Sequence, residues 1–121
     1  MALVLCTGID PAALETRRVI LERAGHHVIS ATGEQELEDA CVAYRIDAVV
    51  IGQSLSPKAK VRVLTLVRKN CPSSKILELY PQKGRKTLDE ADAWLPIPAD
   101  NPQDFAELIT SLTQTRAVGG F

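Results

Sequence analysis

At 121 residues the chain has the length of one ordinary domain and too little for two independent cores. A hydrophobic content of 45% with only 4% aromatics calls for an aliphatic core, and 14 basic against 15 acidic residues leave a formal charge of −1. That balance excludes a global electrostatic pull toward nucleic acid or anionic membrane, and no apolar run approaches the roughly 20 residues that span a bilayer.

The opening Met1-Ala2-Leu3-Val4-Leu5-Cys6 lacks the basic region of a signal peptide and reads as a strand over Leu3–Cys6. The expected location is cytoplasmic. Asp10-Pro11 then starts a helix, with Asp10 as N-cap and Pro11 at the first helical position. Ala13, Leu14, Ile20, Leu21 and Ala24 share one face of it, and Gly25 stops it. Val28–Ala31 is the second strand. Thr32-Gly33-Glu34-Gln35 fits a capping box, and Leu37, Ala40, Cys41 and Tyr44 hold the spacing of an amphipathic helix.

Ala48-Val49-Val50-Ile51 shows no alternation, the mark of a central strand buried on both faces, and ends at Gly52. Ser56-Pro57 caps a third helix that runs to Asn70, with Val61, Leu64 and Val67 facing inward. Ile76–Leu79 is a fourth strand. The polar stretch Gln82 to Glu90 is at best a short helix, and Ala93-Trp94-Leu95 is the fifth strand. Asn101-Pro102 opens a last helix that buries Phe105, Leu108, Ile109 and Leu112.

Five βα units in alternation call for a parallel sheet. The expected domain covers residues 1–116, with a tail at 117–121. Cys6, Cys41 and Cys71 are an odd number without metal spacing, so buried reduced thiols are expected. His26 and His27 are adjacent and point apart on a strand, which does not make a two-ligand metal site.

Three segments carry a resemblance. Leu21–Gly33 resembles the junction of first helix and second strand in bacterial response-regulator receiver domains. Ile46–Ile51 resembles their third strand, and Ala91–Pro98 the segment around their fifth. The resemblance implies a flavodoxin-like (CheY-like) three-layer α/β sandwich, with a five-stranded parallel sheet in the order 2-1-3-4-5. It also implies two-component, phosphorelay-type signalling. Receivers take a phosphoryl group onto an aspartate after the third strand, aided by Mg²⁺ on an acidic pair after the first. A Thr or Ser after the fourth strand and a Lys after the fifth contact the phosphoryl oxygens.

Placed on that pattern, the phosphoacceptor position is Gly52, which offers no nucleophile. The acidic pair falls at Cys6, Thr7 and Gly8, none a carboxylate, and Asp10 serves better as a helix cap. The Thr/Ser position is Tyr80 and the Lys position is Ile97, followed by Pro98, whose preceding peptide is often cis in the family. Trp94 stands where receivers carry an aromatic on their partner-binding face.

The expectation is a pseudo-receiver: no enzyme, no cofactor, no metal, no catalytic residue. It acts on a protein partner, a sensor kinase or effector, or as a homodimer, without nucleic acid or membrane. The alternative is a small-ligand sensor in the crevice at the strand carboxyl ends, near Thr7, Gly8 and Gly52. Basic residues concentrate at Lys58, Lys60, Arg62, Arg68, Lys69, Lys83, Arg85 and Lys86, against Glu34, Glu36, Glu38 and Asp39 on the second helix. They read as solvated faces, or more sharply as a polarity that selects an acidic partner. No aromatic is interleaved among them for base stacking.

Overall fold

Local signals in the chain set most element boundaries. The computed structural model describes residues 2–114, so the expected tail at 117–121 lies outside the described residues. The elements are β1 (Leu3–Thr7), α1 (Pro11–Arg23), β2 (His27–Ala31), α2 (Glu34–Ala43), β3 (Ala48–Ile51), α3 (Pro57–Asn70), β4 (Lys75–Pro81), β5 (Ala93–Ile97) and α4 (Pro102–Thr113).

Three of the helices start in the same way. Asp10, Ser56 and Asn101 accept from the N–H groups of Ala12 (3.0 Å), Ala59 (3.2 Å) and Gln103 (3.0 Å), and each is followed by proline. α2 differs from the expected capping box. Its N-cap is Gly33, and Glu36 rather than Gln35 folds back, accepting from Thr32 N (2.6 Å) and Oγ1 (2.8 Å). α1 ends in a Schellman motif: Gly25 sits at φ 94°, with Gly25 N bonded to Glu22 O and His26 N to Leu21 O.

The strands are parallel throughout, in the order β2-β1-β3-β4-β5. This is the flavodoxin-like α/β order. Alternate residues divide the core in two. Val4, Cys6, Ala48, Val50, Leu77 and Leu79 face α1 and α4, whereas Leu5, Val49, Ile51 and Ile76 face α2 and α3. β5 is an edge strand, and Pro96 within it removes one donor from the exposed ladder.

Two inward assignments from the helical spacing are corrected. Val61 is 49% exposed and Tyr44 is 55% exposed. α3 is rotated so that Lys60, Val63, Leu64 and Val67 face the sheet, while α2 stops at Ala43 and leaves Tyr44 as an extended C-cap.

A second correction concerns the connection between β4 and β5. Five full βα units were expected, but residues 82–92 form turns and irregular chain without a helix. A buried ion pair anchors this segment. Glu78 on β4 is fully buried, and Lys60 of α3, 3% exposed, donates to its Oε2 (2.7 Å) and to Leu79 O (2.8 Å). The same carboxylate accepts from Leu88 N (2.8 Å) and Thr87 N (2.9 Å). Leu88 and Ala91 then cover the sheet where a helix would lie.

The basic residues are partly consumed inside the molecule. Lys60 is buried, Arg62 pairs with Glu34 of α2 (2.7 Å), and Arg68 ties α3 to Ser74 O, Glu90 O and Asp92. The solvated-face reading therefore fails for Lys60.

His26 is buried at the base of the sheet. Its Nδ1 accepts from Ala2 N (3.2 Å), which leaves the ring proton on Nε2 to donate to Thr110 Oγ1 (2.9 Å). Burial lowers its pKa from the ordinary 6.5, and a second ring proton would oppose the Ala2 N–H. As pH falls below about 6.5, the unfolded chain gains a proton that the folded chain resists, so stability falls with falling pH. Urea midpoints between about pH 7.5 and pH 5 should decrease in the native chain and decrease less in His26→Gln. Equal slopes would contradict this role.

Candidate functional site

The carboxyl ends of β1 and β3 are bound closely together. Thr7 Oγ1 donates to Val50 O (2.9 Å), Gly52 N donates to Thr7 O (3.1 Å), and Gly8 N donates to Ala31 O (3.3 Å). This closeness explains Gly52. A Cβ built on it would lie 2.7 Å from Thr7 O and 3.3 Å from Arg17 Nη1, so the position holds no side chain without displacement.

The other expected site residues scatter around this crest. Cys6 turns into the core between α1 and α4, and burial pushes its thiol up to about 12 against the opposing charge of Arg17. It is neutral near pH 7 and does not line the crevice. Asp10 is spent on its cap. Tyr80 and Ile97 are half-buried at the ends of β4 and β5, and the Ile97-Pro98 peptide is cis. Among the described residues no group of three His, Cys, Asp or Glu side chains is placed to hold a metal ion. All three cysteines are free and buried.

Arg17 was not anticipated. It occupies the buried stripe of α1 between Leu14 and Leu21. Side chains on a helix lean toward its N-terminus, so this long one reaches back to the strand ends. Its Nη1 lies beside Gly8 and Gly52, and its Nη2 donates to Gln53 Oε1. The spacing Leu14-x-x-Arg17-x-x-x-Leu21 carried the signal, since position 17 falls on the apolar face.

Two hollows flank the crest. One of about 210 Å³ is lined by Thr7, Gly8, Ile9, Thr32 and Leu55. The other, about 320 Å³, lies between α1, α4 and the end of β5 and includes Arg17, Gln53, Ile97 and Pro98. The expected grouping of Thr7, Gly8 and Gly52 is thus divided, because Gly52 lines neither.

No family model matches the chain, and no curated protein sequence does. Solved structures do. A response regulator from Thermotoga maritima superposes with a TM-score of 0.77 at 19% identity, covering 95% of this chain and 99% of that one. A CheY-like receiver domain protein from Methanospirillum hungatei gives 0.77 at 23%, covering 92% of each chain. A Burkholderia pseudomallei response regulator, solved with a phosphorylated aspartic acid and a calcium ion, gives 0.75 at 22%, covering 99% of this chain and 71% of that one.

The fold is CheY-like. At such identities the similarity speaks for the fold alone. Within this CheY-like frame, Trp94 lies on edge strand β5. It is half-buried, its Nε1 donates to Leu88 O (2.8 Å), and Lys86 Nζ sits 4.3 Å from its ring centroid. The ring braces the connection that replaces the fourth crossover helix. No helix among the described residues is long and apolar enough to cross a membrane.

Proposed function

We propose that the chain is a receiver-like signalling module of two-component type that works through protein contacts and accepts no phosphoryl group. The observation that carries this reading is Gly52, at the position where the resemblance places the acceptor aspartate, packed so closely on Thr7 O that a Cβ has no room. Phosphoryl transfer needs an attacking oxygen.

The surroundings support it. Ile97 supplies no cation, Tyr80 no small hydroxyl, and Cys6-Thr7-Gly8 no carboxylate for a hard divalent ion. The Arg17 guanidinium stands beside Gly8 and Gly52 instead. No nucleophile is paired with a base there, which supports a module that is not an enzyme.

Its partner is then a sensor kinase or effector, or a second copy, reached through the face around Trp94. Incubation with acetyl phosphate or beryllofluoride plus Mg²⁺ should leave the intact mass and amide NMR spectrum unchanged; a stoichiometric acyl phosphate would overturn the proposal. Trp94→Ala should weaken any self-association seen by sedimentation. An unchanged dimer would remove Trp94 from the contact.

A further inference from the structure

Arg17 is a buried cation out of ion-pair contact, with the Asp10 carboxylate acting on it only from a distance. It is 7% exposed, makes no ion pair among the described residues, and gives one side-chain hydrogen bond, to Gln53. Removing a guanidinium from water without a paired anion is unfavourable. Burial accordingly lowers its pKa, and a guanidinium stays charged near neutrality. No fully buried side-chain nitrogen or oxygen among the described residues lacks a partner. Nη1 has none among the described residues, so it is not fully buried.

The adjoining groove supplies the rest of a site. At about 320 Å³ it falls at the small end of the range for small-molecule pockets. Ile20, Leu79, Ile97, Pro98 and Phe105 form apolar walls, and Arg17 is the only charged residue lining it among the described residues. Gln53 gives its amide oxygen to Arg17, which leaves its Nε2 as a second donor. One cation in an apolar groove is balanced by one negative charge. A dianionic phosphate would bring a second, uncompensated charge into it.

We propose that this groove binds a small monocarboxylate with an apolar body. The carboxylate takes the Arg17 guanidinium and the amide of Gln53, as a planar two-oxygen acceptor suits such donors, and the carbon skeleton lies against Ile20, Ile97 and Phe105. The groove lies on the α1–α4 side of the crest and shares Arg17 with the acceptor position, where a Cβ on Gly52 would stand 3.3 Å from Nη1.

Benzoate is a suitable probe, with benzamide as its neutral isostere and inorganic phosphate as a plain anion. Titration of the ¹⁵N-labelled chain with millimolar benzoate should shift the Arg17 Nε–H and the amides of Gln53 and Ala99. Benzamide and phosphate should bind about tenfold more weakly or less. Arg17→Gln should weaken benzoate by a similar factor. Ala13→Phe, which fills the groove and keeps the guanidinium, should do the same and decides the matter if Arg17→Gln does not fold. The proposal is overturned if benzoate shifts nothing, if benzamide or phosphate matches it, or if a folded variant binds as the native chain does. Acyl phosphate formation is read separately, so failure here leaves the signalling proposal standing, and the reverse.

Discussion

Lys60→Met is expected to lower the unfolding free energy by about 3–5 kcal/mol, because it strips the cation from a fully buried carboxylate. Glu78 has no exposure, and Lys60 Nζ is its only ionic partner among the described residues. The remaining partners are the amides of Thr87 and Leu88. They hydrogen-bond the carboxylate but do not neutralise it. Glu78→Gln is expected to be comparably damaging, since it leaves the ammonium buried with neutral acceptors and no anion. The double variant Lys60→Met, Glu78→Gln removes both charges together and should recover more than half of the summed loss. Urea denaturation of the four proteins measures this coupling. A coupling near zero would show that the two charges are independently solvated and that the pair does not hold the segment after β4.

Gly52→Asp, which puts a carboxylate back at the acceptor position, is expected to yield no phosphoryl adduct with acetyl phosphate and Mg²⁺ by intact mass. Two effects oppose each other in its stability. Crowding the Cβ against Thr7 O destabilises, by about 1–3 kcal/mol on the scale of other overpacked sites. The new carboxylate also gains a buried guanidinium, since Arg17 Nη1 lies 3.3 Å from the Cβ position. Gly52→Ala carries the clash alone, so the aspartate variant should be the more stable of the two. The ion pair that rescues stability holds the oxygen that would have to attack, and neither Ile97 nor the Cys6-Thr7-Gly8 segment supplies the missing cation or metal ligand. A stoichiometric adduct would show that the glycine is the only obstacle.

Most of the architecture was legible because its signals are local. The apolar run Ala48–Ile51 and the Ser56-Pro57 start gave β3 and α3 with their observed limits, since strand runs and caps need only neighbours. One step around a helix turns a side chain by about 100°, and that was enough to misplace Val61 and conceal Lys60. The missing crossover helix and Arg17 share another cause. Each depends on a partner on another element: Lys60 of α3 with Glu78 for Thr87 and Leu88, Gln53 and the strand ends for Arg17. At the site, Gly52 was legible by position, whereas the 2.7 Å approach that requires a glycine there was not.

The connection over 82–92 looks like the part of the molecule that proteases and solvent deuterium should reach first. The Glu78 carboxylate beneath it divides that behaviour within a few residues. Lys83, Arg85 and Lys86 are exposed and offer trypsin its sites. The amides of Thr87 and Leu88 are held by an acceptor that no water reaches. They should exchange only on the rare openings that separate α3 from β4, at rates typical of central strands. A trypsin cut ahead of Thr87 would then leave two fragments joined through buried charge and sheet pairing, in a clipped protein that still migrates as one species until it is denatured.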